Sequence, residues 1–100
     1  MTIRKKYGTK ELEKDFGVLT FGDALASYRL GEEISQKEFS LKLGISPQSL
    51  NDIEKGRRIP LPKRAAKIAK ALKEPAAFWI QLALQDSLRK EKLNYKVSVA

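Results

Sequence analysis

Apolar residues recur along the middle of the chain at the spacing of a helix face. Phe21, Leu25 and Tyr28 follow each other at intervals of four and three residues, and similar rows appear further along the chain. An all-α domain of five helices over residues 21–92 is therefore expected, preceded by an N-terminal arm (1–20) and followed by a C-terminal tail (93–100). The helices are predicted at 21–31, 36–43, 47–55, 62–72 and 75–92.

Residues 35–47 carry the signals of two helix starts separated by a tight turn. Ser35 and Glu38 have the spacing of a capping box, and Gly44 can adopt the positive φ with which a helix often ends. Ser46 is then a second N-cap, and Pro47 suits the first helical position. Two short helices joined in this way predict a helix-turn-helix.

The tail changes to the alternating pattern of an extended, strand-like segment. Its apolar positions and two leucines of the last helix exceed what a monomer needs to bury, which favours a two-fold homodimer through that helix. The alternative is that the tail folds back over the Trp79 side of its own chain. The predicted interface residues are Leu84, Leu88, Leu93, Tyr95, Val97 and Val99.

The composition narrows the possible chemistry. The chain has no Cys and no His, which excludes disulfides and the ordinary zinc, haem and iron–sulfur sites, so no cofactor is expected. Lys, Tyr and carboxylates show no paired arrangement with a phosphate-binding loop, so an enzyme such as a small nuclease is disfavoured. No apolar run approaches the roughly 18 residues of a membrane span, and the basic start lacks a signal core. We expect a cytoplasmic protein that does not bind membranes.

Positive charge is concentrated in the second half of the chain. The net charge is +8, and residues 55–73 hold eight Lys or Arg and no acid. Such a block attracts polyanions. From charge alone, a solvated face that only maintains solubility is equally consistent.

The stretch 21–73 resembles the Cro/C1-type (XRE) helix-turn-helix family. The resemblance rests on the Arg of SYRL, the SQ that opens the second helix, LGIS at the turn, IEKGRR, and KIAKAL in the fourth helix. It implies a lambda-repressor-like fold and a sequence-specific regulator that binds double-stranded DNA, acting as an autoregulatory repressor and homodimer.

The resemblance also implies which residues contact DNA. The third helix corresponds to the recognition helix, where Gln and Asn can bond an adenine edge and Asp52 can accept from cytosine, although many relatives have Arg or Gln at that position. The resemblance also implies that Gln36 clamps a phosphate and that Lys55, Arg57 and Arg58 meet the adjacent DNA backbone. Considered without the motif, Gln36 would be an ordinary helix-surface residue and the three cations would belong to a solvated loop. The expected DNA-binding residues are Gln36, Ser46, Pro47, Gln48, Ser49, Asn51, Asp52, Lys55, Arg57 and Arg58.

Two further expectations concern the interior. By resemblance, Arg29 and Glu54 form a largely internal ion pair between the first and third helices. Phe78 and Trp79 could offer a stacking platform for single strands, but their place in an apolar stripe favours core packing.

The flanks resemble small antitoxins of the HigA-like type, through FGVLTFGDAL and LALQDSLRKEKLNYKVSV. Such proteins bind an RNase toxin and repress their own operon. An alternative function is therefore an antitoxin that mainly neutralises a toxin, with operator binding secondary. An exposed alternating tail favours it, because such a strand invites pairing with another chain.

Overall fold

The computed structural model describes residues 19–92, which form an all-α domain and contain no strand. This confirms the predicted fold class. The N-terminal arm before residue 19 and the tail after residue 92 lie outside the described residues. The five helices are α1 (Phe21–Gly31), α2 (Gln36–Leu43), α3 (Pro47–Glu54), α4 (Pro62–Leu72) and α5 (Ala76–Lys90).

The turn between α2 and α3 is built as the sequence predicts. Ser35 Oγ accepts from the Glu38 N–H at 3.1 Å, and Glu38 Oε1 accepts from the Ser35 N–H at 3.1 Å, which completes the capping box. Gly44 ends α2 with a φ of 74°. Ser46 Oγ then accepts from the Ser49 N–H at 3.0 Å and starts α3. These local bonds set the angle at which α3 leaves α2.

Several helix ends differ from their predicted form, and α3 ends at Glu54 where 55 was predicted. α1 does end at Gly31, but the residue with positive φ is Glu33, at 56°. α5 begins at Ala76 and ends at Lys90, with Pro75 as its N-cap residue. These ends lie within one or two residues of the predicted positions, which is the normal uncertainty of helix boundaries.

Trp79 belongs to the core and Phe78 does not. Trp79 is 2% exposed, and the edge of its ring meets Phe21 with 5.2 Å between the centroids. This excludes Trp79 as a stacking platform for nucleic acid. Phe78 is 44% exposed, so its predicted place in the buried stripe was wrong. α5 turns the row through Trp79 and Ala83 inward, because that row packs against α1 and α4.

α1 is in close contact with two other helices, α3 and α5. Gly22 lies so near the end of α3 that a Cβ atom there would stand 2.2 Å from the Ile53 carbonyl oxygen. At the start of α1, the Phe21 N–H donates to Asp86 Oδ2 of α5 at 2.8 Å. α1 is therefore fixed directly between the third and the last helix.

Candidate DNA-binding surface

The first turn of α3 and the loop after α3 form one polar surface. Gln48 is exposed in the first turn of α3, together with its neighbours Ser46 and Pro47, whereas Asn51 and Asp52 are half-buried. Ser49 is half-buried as well. Lys55, Arg57 and Arg58 follow α3 and are all exposed. Asn51 and Asp52 lie three and four positions after Gln48 and so share its side of α3, and the three cations follow in the loop after it.

Asp52 connects the helix to the loop. Its Oδ1 accepts from Gln48 Nε2 at 3.0 Å and from Arg57 Nε at 3.1 Å. Its carbonyl oxygen accepts the backbone N–H groups of Arg57 and Arg58 at 2.8 and 3.2 Å. Asp52 is therefore paired with a neighbouring arginine, and its hydrogen bonds hold the side chains of Gln48 and Arg57 in defined positions.

Gln36 is engaged inside the domain. Its Nε2 donates to Glu54 Oε1 at 2.9 Å and to Asn51 Oδ1 at 3.3 Å. A side-chain amide has two N–H donors, so both are occupied. A phosphate contact from this side chain requires one of these hydrogen bonds to break. What the structure shows is a link from the start of α2 to α3.

Arg29 and Glu54 form a bidentate ion pair at the same junction. Arg29 Nε lies 2.9 Å from Glu54 Oε2, and Arg29 Nη2 lies 3.1 Å from Glu54 Oε1. Arg29 Nη1 also donates to the Ile34 carbonyl at 3.1 Å. Together with Gln36, this pair ties α1, α2 and α3 at one point.

Asp86 is a residue that the sequence reasoning missed. It is 8% exposed, caps the N-terminus of α1 through the Phe21 N–H, and forms an ion pair with Arg89. Burial raises the pKa of Asp86, while the Phe21 hydrogen bond and Arg89 lower it. One signal was available, because positions 79, 83 and 86 share one helix face and an acid in a buried stripe needs partners.

The predicted interface is only partly within the described residues. Leu84 and Leu88 of α5 are half-buried. Leu93, Tyr95, Val97 and Val99 lie outside the described residues, as does the extended conformation predicted for them. The choice between a dimer contact, a toxin contact and packing on the same chain stays a prediction.

Residues 19–92 offer no cluster of acids that could hold a metal ion. Within the same range, no helix is both long enough and apolar enough to cross a bilayer.

A model of the helix-turn-helix family matches residues 25–79, which is 55 of the 100 residues and includes α2, α3 and the turn between them. Comparison with curated proteins and with solved structures found no significant match. The matched segment contains the exposed face of α3, the glycine turn and the junction of Arg29 with Glu54. On this evidence the chain belongs to the Cro/C1-type (XRE) helix-turn-helix family of DNA-binding transcription regulators.

Proposed function

We propose that the chain is a sequence-specific repressor that binds double-stranded DNA as a homodimer and regulates its own operon. The observation that carries this proposal is the exposed amide of Gln48 in the first turn of α3, beside the exposed guanidinium of Arg57. An amide that reads a base edge and a cation that meets the phosphate backbone are the two elements that such a surface requires.

In this proposal, Gln48 and Asn51 contact the base edges. An α-helix fits the major groove of DNA, and a Gln or Asn side chain can make two hydrogen bonds to adenine there. Gln48 is exposed and is held by Asp52 at 3.0 Å, so part of its conformational entropy is already lost before binding. Asp52 then acts as a positioning residue, since its Oδ1 already accepts from both Gln48 and Arg57.

Backbone contact falls to Lys55, Arg57 and Arg58 at the end of α3. All three are exposed, and the two arginines are fixed at the backbone by the Asp52 carbonyl. The hydroxyls of Ser46 and Ser49 lie at the other end of α3 and complete the contact in our proposal. The Ser46 hydroxyl also caps the helix through the Ser49 N–H. Such contacts position the protein without reading sequence.

A homodimer is proposed because α3 is short. Eight residues span about 12 Å, so one recognition helix reaches only a few base pairs. Two helices placed about 34 Å apart read two half-sites and raise specificity. Half-buried Leu84 and Leu88 on α5, with Phe78 exposed near its start, offer apolar surface for pairing. Occupying an operator that overlaps a promoter is sufficient for repression.

The function is tested by selecting duplexes from a random pool and measuring affinity for selected and random sites. Gln48→Ala is expected to cost about 1–3 kcal/mol on the selected site and to relax preference at one position. Gln81→Ala is the matched control, because Gln81 is an exposed glutamine of α5. Arg57→Ala should weaken all sequences alike and lower the salt slope by about one.

Equal losses on selected and random DNA for Gln48→Ala would refute its role in reading sequence. Sedimentation at micromolar concentration tests the homodimer, and a species that stays monomeric on one operator overturns it. Truncation after Lys92 then separates the contributions of α5 and of the tail to pairing.

A further inference from the structure

A basic groove lies beside the C-terminal end of α3, which is the end away from the turn that joins α3 to α2. It is a depression of about 410 Å³ between the start of α1, the end of α3 and the last turn of α5. Four cationic side chains and a single acid are among the residues that line it. These are Arg57, Arg58, Arg89, Lys90 and Asp86. The charged lining therefore carries three more positive than negative groups.

The single acid is already satisfied by the protein. Asp86 is 8% exposed. One of its carboxylate oxygens accepts from the Phe21 N–H and the other pairs with Arg89. It therefore holds Arg89 at the groove and presents little free negative charge to a ligand. Arg57 is similarly anchored by Asp52 at 3.1 Å. Arg58 and Lys90 are exposed and make no ion pair with residues 19–92.

Arg57 and Arg58 belong both to this groove and to the proposed DNA surface. The groove is therefore continuous with the end of α3 and extends that surface onto α5. Lys and Arg side chains clustered on such a surface can neutralise the phosphates of a nucleic-acid backbone and release its counterions. The groove also stands at the far end of α3 from Gln48, which places it beyond the base pairs that the first turn would read.

We propose that this groove binds a backbone phosphate outside the segment read by α3, so that the last turn of α5 is a second element contacting DNA. The inference rests on the proposed function and adds to it a contact from a helix outside the helix-turn-helix pair. In this arrangement Asp86 is a positioning residue: it fixes Arg89 and the start of α1, which form two walls of the groove.

A simpler role must be distinguished by the test, since cations in the last turn of any helix stabilise its negative end. Lys90→Gln is the test variant. Lys70→Gln is the matched control, because Lys70 is also an exposed lysine in the last turn of a helix, α4, and does not line the groove. Neither lysine has a described ion pair to lose.

The measurements are the salt dependence of affinity for the selected duplex and for random DNA, and interference by ethylation of single phosphates. Lys90→Gln is expected to lower the slope of log K against log salt by about 0.9 and to weaken both DNAs by a similar factor. It should also abolish interference at one or two phosphates outside the base pairs that Gln48 reads. Lys70→Gln should leave slope and interference as in the wild type.

If Lys90→Gln matches Lys70→Gln in slope and interference while Gln48→Ala still loses sequence preference, the groove proposal is overturned and the proposed function stands. If the wild type shows no preference among duplexes, the proposed function fails and this inference fails with it. Thermal denaturation of both lysine variants checks that any change in binding does not arise from unfolding.

Discussion

Glu54 binds Arg29 through both carboxylate oxygens, and the Glu54 side chain is 5% exposed. Removing one partner of a buried pair leaves a desolvated charge, at a cost of about 3–5 kcal/mol. Arg29→Met is therefore expected to lower the free energy of unfolding by this amount, as measured by urea denaturation. The double variant Arg29→Met/Glu54→Leu should recover most of the loss, because no charge is left unpaired. A double variant no more stable than Arg29→Met would contradict this account.

Asp52 is expected to act on specificity more than on affinity. Asp52→Ala removes a negative charge beside the proposed phosphate contacts and releases Gln48 and Arg57 from their shared acceptor. Affinity for random DNA should therefore rise, whereas affinity for the selected site should not, and the difference between them should shrink by about 1 kcal/mol. Titrations on both DNAs measure this. Glu74→Ala, an exposed acid between α4 and α5, is the control. An increase of equal size on both DNAs would count against a positioning role.

Two glycines of the same helix are expected to respond in opposite directions to alanine. Gly22→Ala places a Cβ atom against the Ile53 carbonyl at 2.2 Å, which forces α1 away from α3 and costs about 1–3 kcal/mol or more. Gly31→Ala meets nothing within 4 Å and should stabilise by up to about 1 kcal/mol, because alanine favours a helix. Chemical denaturation of the two variants gives the comparison. Similar stabilities for both would show that α1 can shift freely on α3.

Asp86 is expected to give stability a pH dependence in the acid range. Burial raises its pKa above the ordinary 3.8, so between that value and the raised pKa the folded state holds a proton that the unfolded state has released. The contribution of Asp86 therefore falls as pH rises through this window. In Asp86→Asn this component should disappear, while the amide oxygen still accepts from Phe21. Denaturation from about pH 3 to pH 7 measures it.

The companion variant Asp86→Ala leaves the Phe21 N–H without its acceptor and should be about 1–3 kcal/mol less stable than Asp86→Asn at every pH. If the asparagine and alanine variants are equally stable, the hydrogen bond to α1 contributes nothing.

Most of the helix order was predictable because its signals are local. Ser35, Gly44 and Ser46 act within four residues of their partners, so the sequence spacing alone predicts their hydrogen bonds. Phe78 was misplaced because α5 has two overlapping apolar rows. Which row turns inward depends on Phe21, more than fifty residues away, and no local rule contains that information.

The candidate site likewise has a part that the sequence predicts and a part that depends on packing. The family motif predicted Gln48 and Arg57 on one surface, which required only their positions in α3 and in the loop after it. The two hydrogen bonds of Gln36 depend on a side-chain rotamer and on the distance between α2 and Glu54. The role of Asp86 depends on bringing together residues 65 positions apart. Interactions of this kind follow from packing and are not visible as spacing.

The hydrogen bond between Phe21 and Asp86 also affects when the domain can finish folding during its synthesis on the ribosome. Residue 21 leaves the ribosome early, and its acceptor emerges 65 residues later. α1 can form, with Thr20 capping its first turn, and pack on α3 before then, but the Phe21 N–H has no side-chain acceptor until α5 is present. Completion of the fold therefore requires the last helix. A nascent chain that stops before α5 contains α3 in an incompletely packed domain.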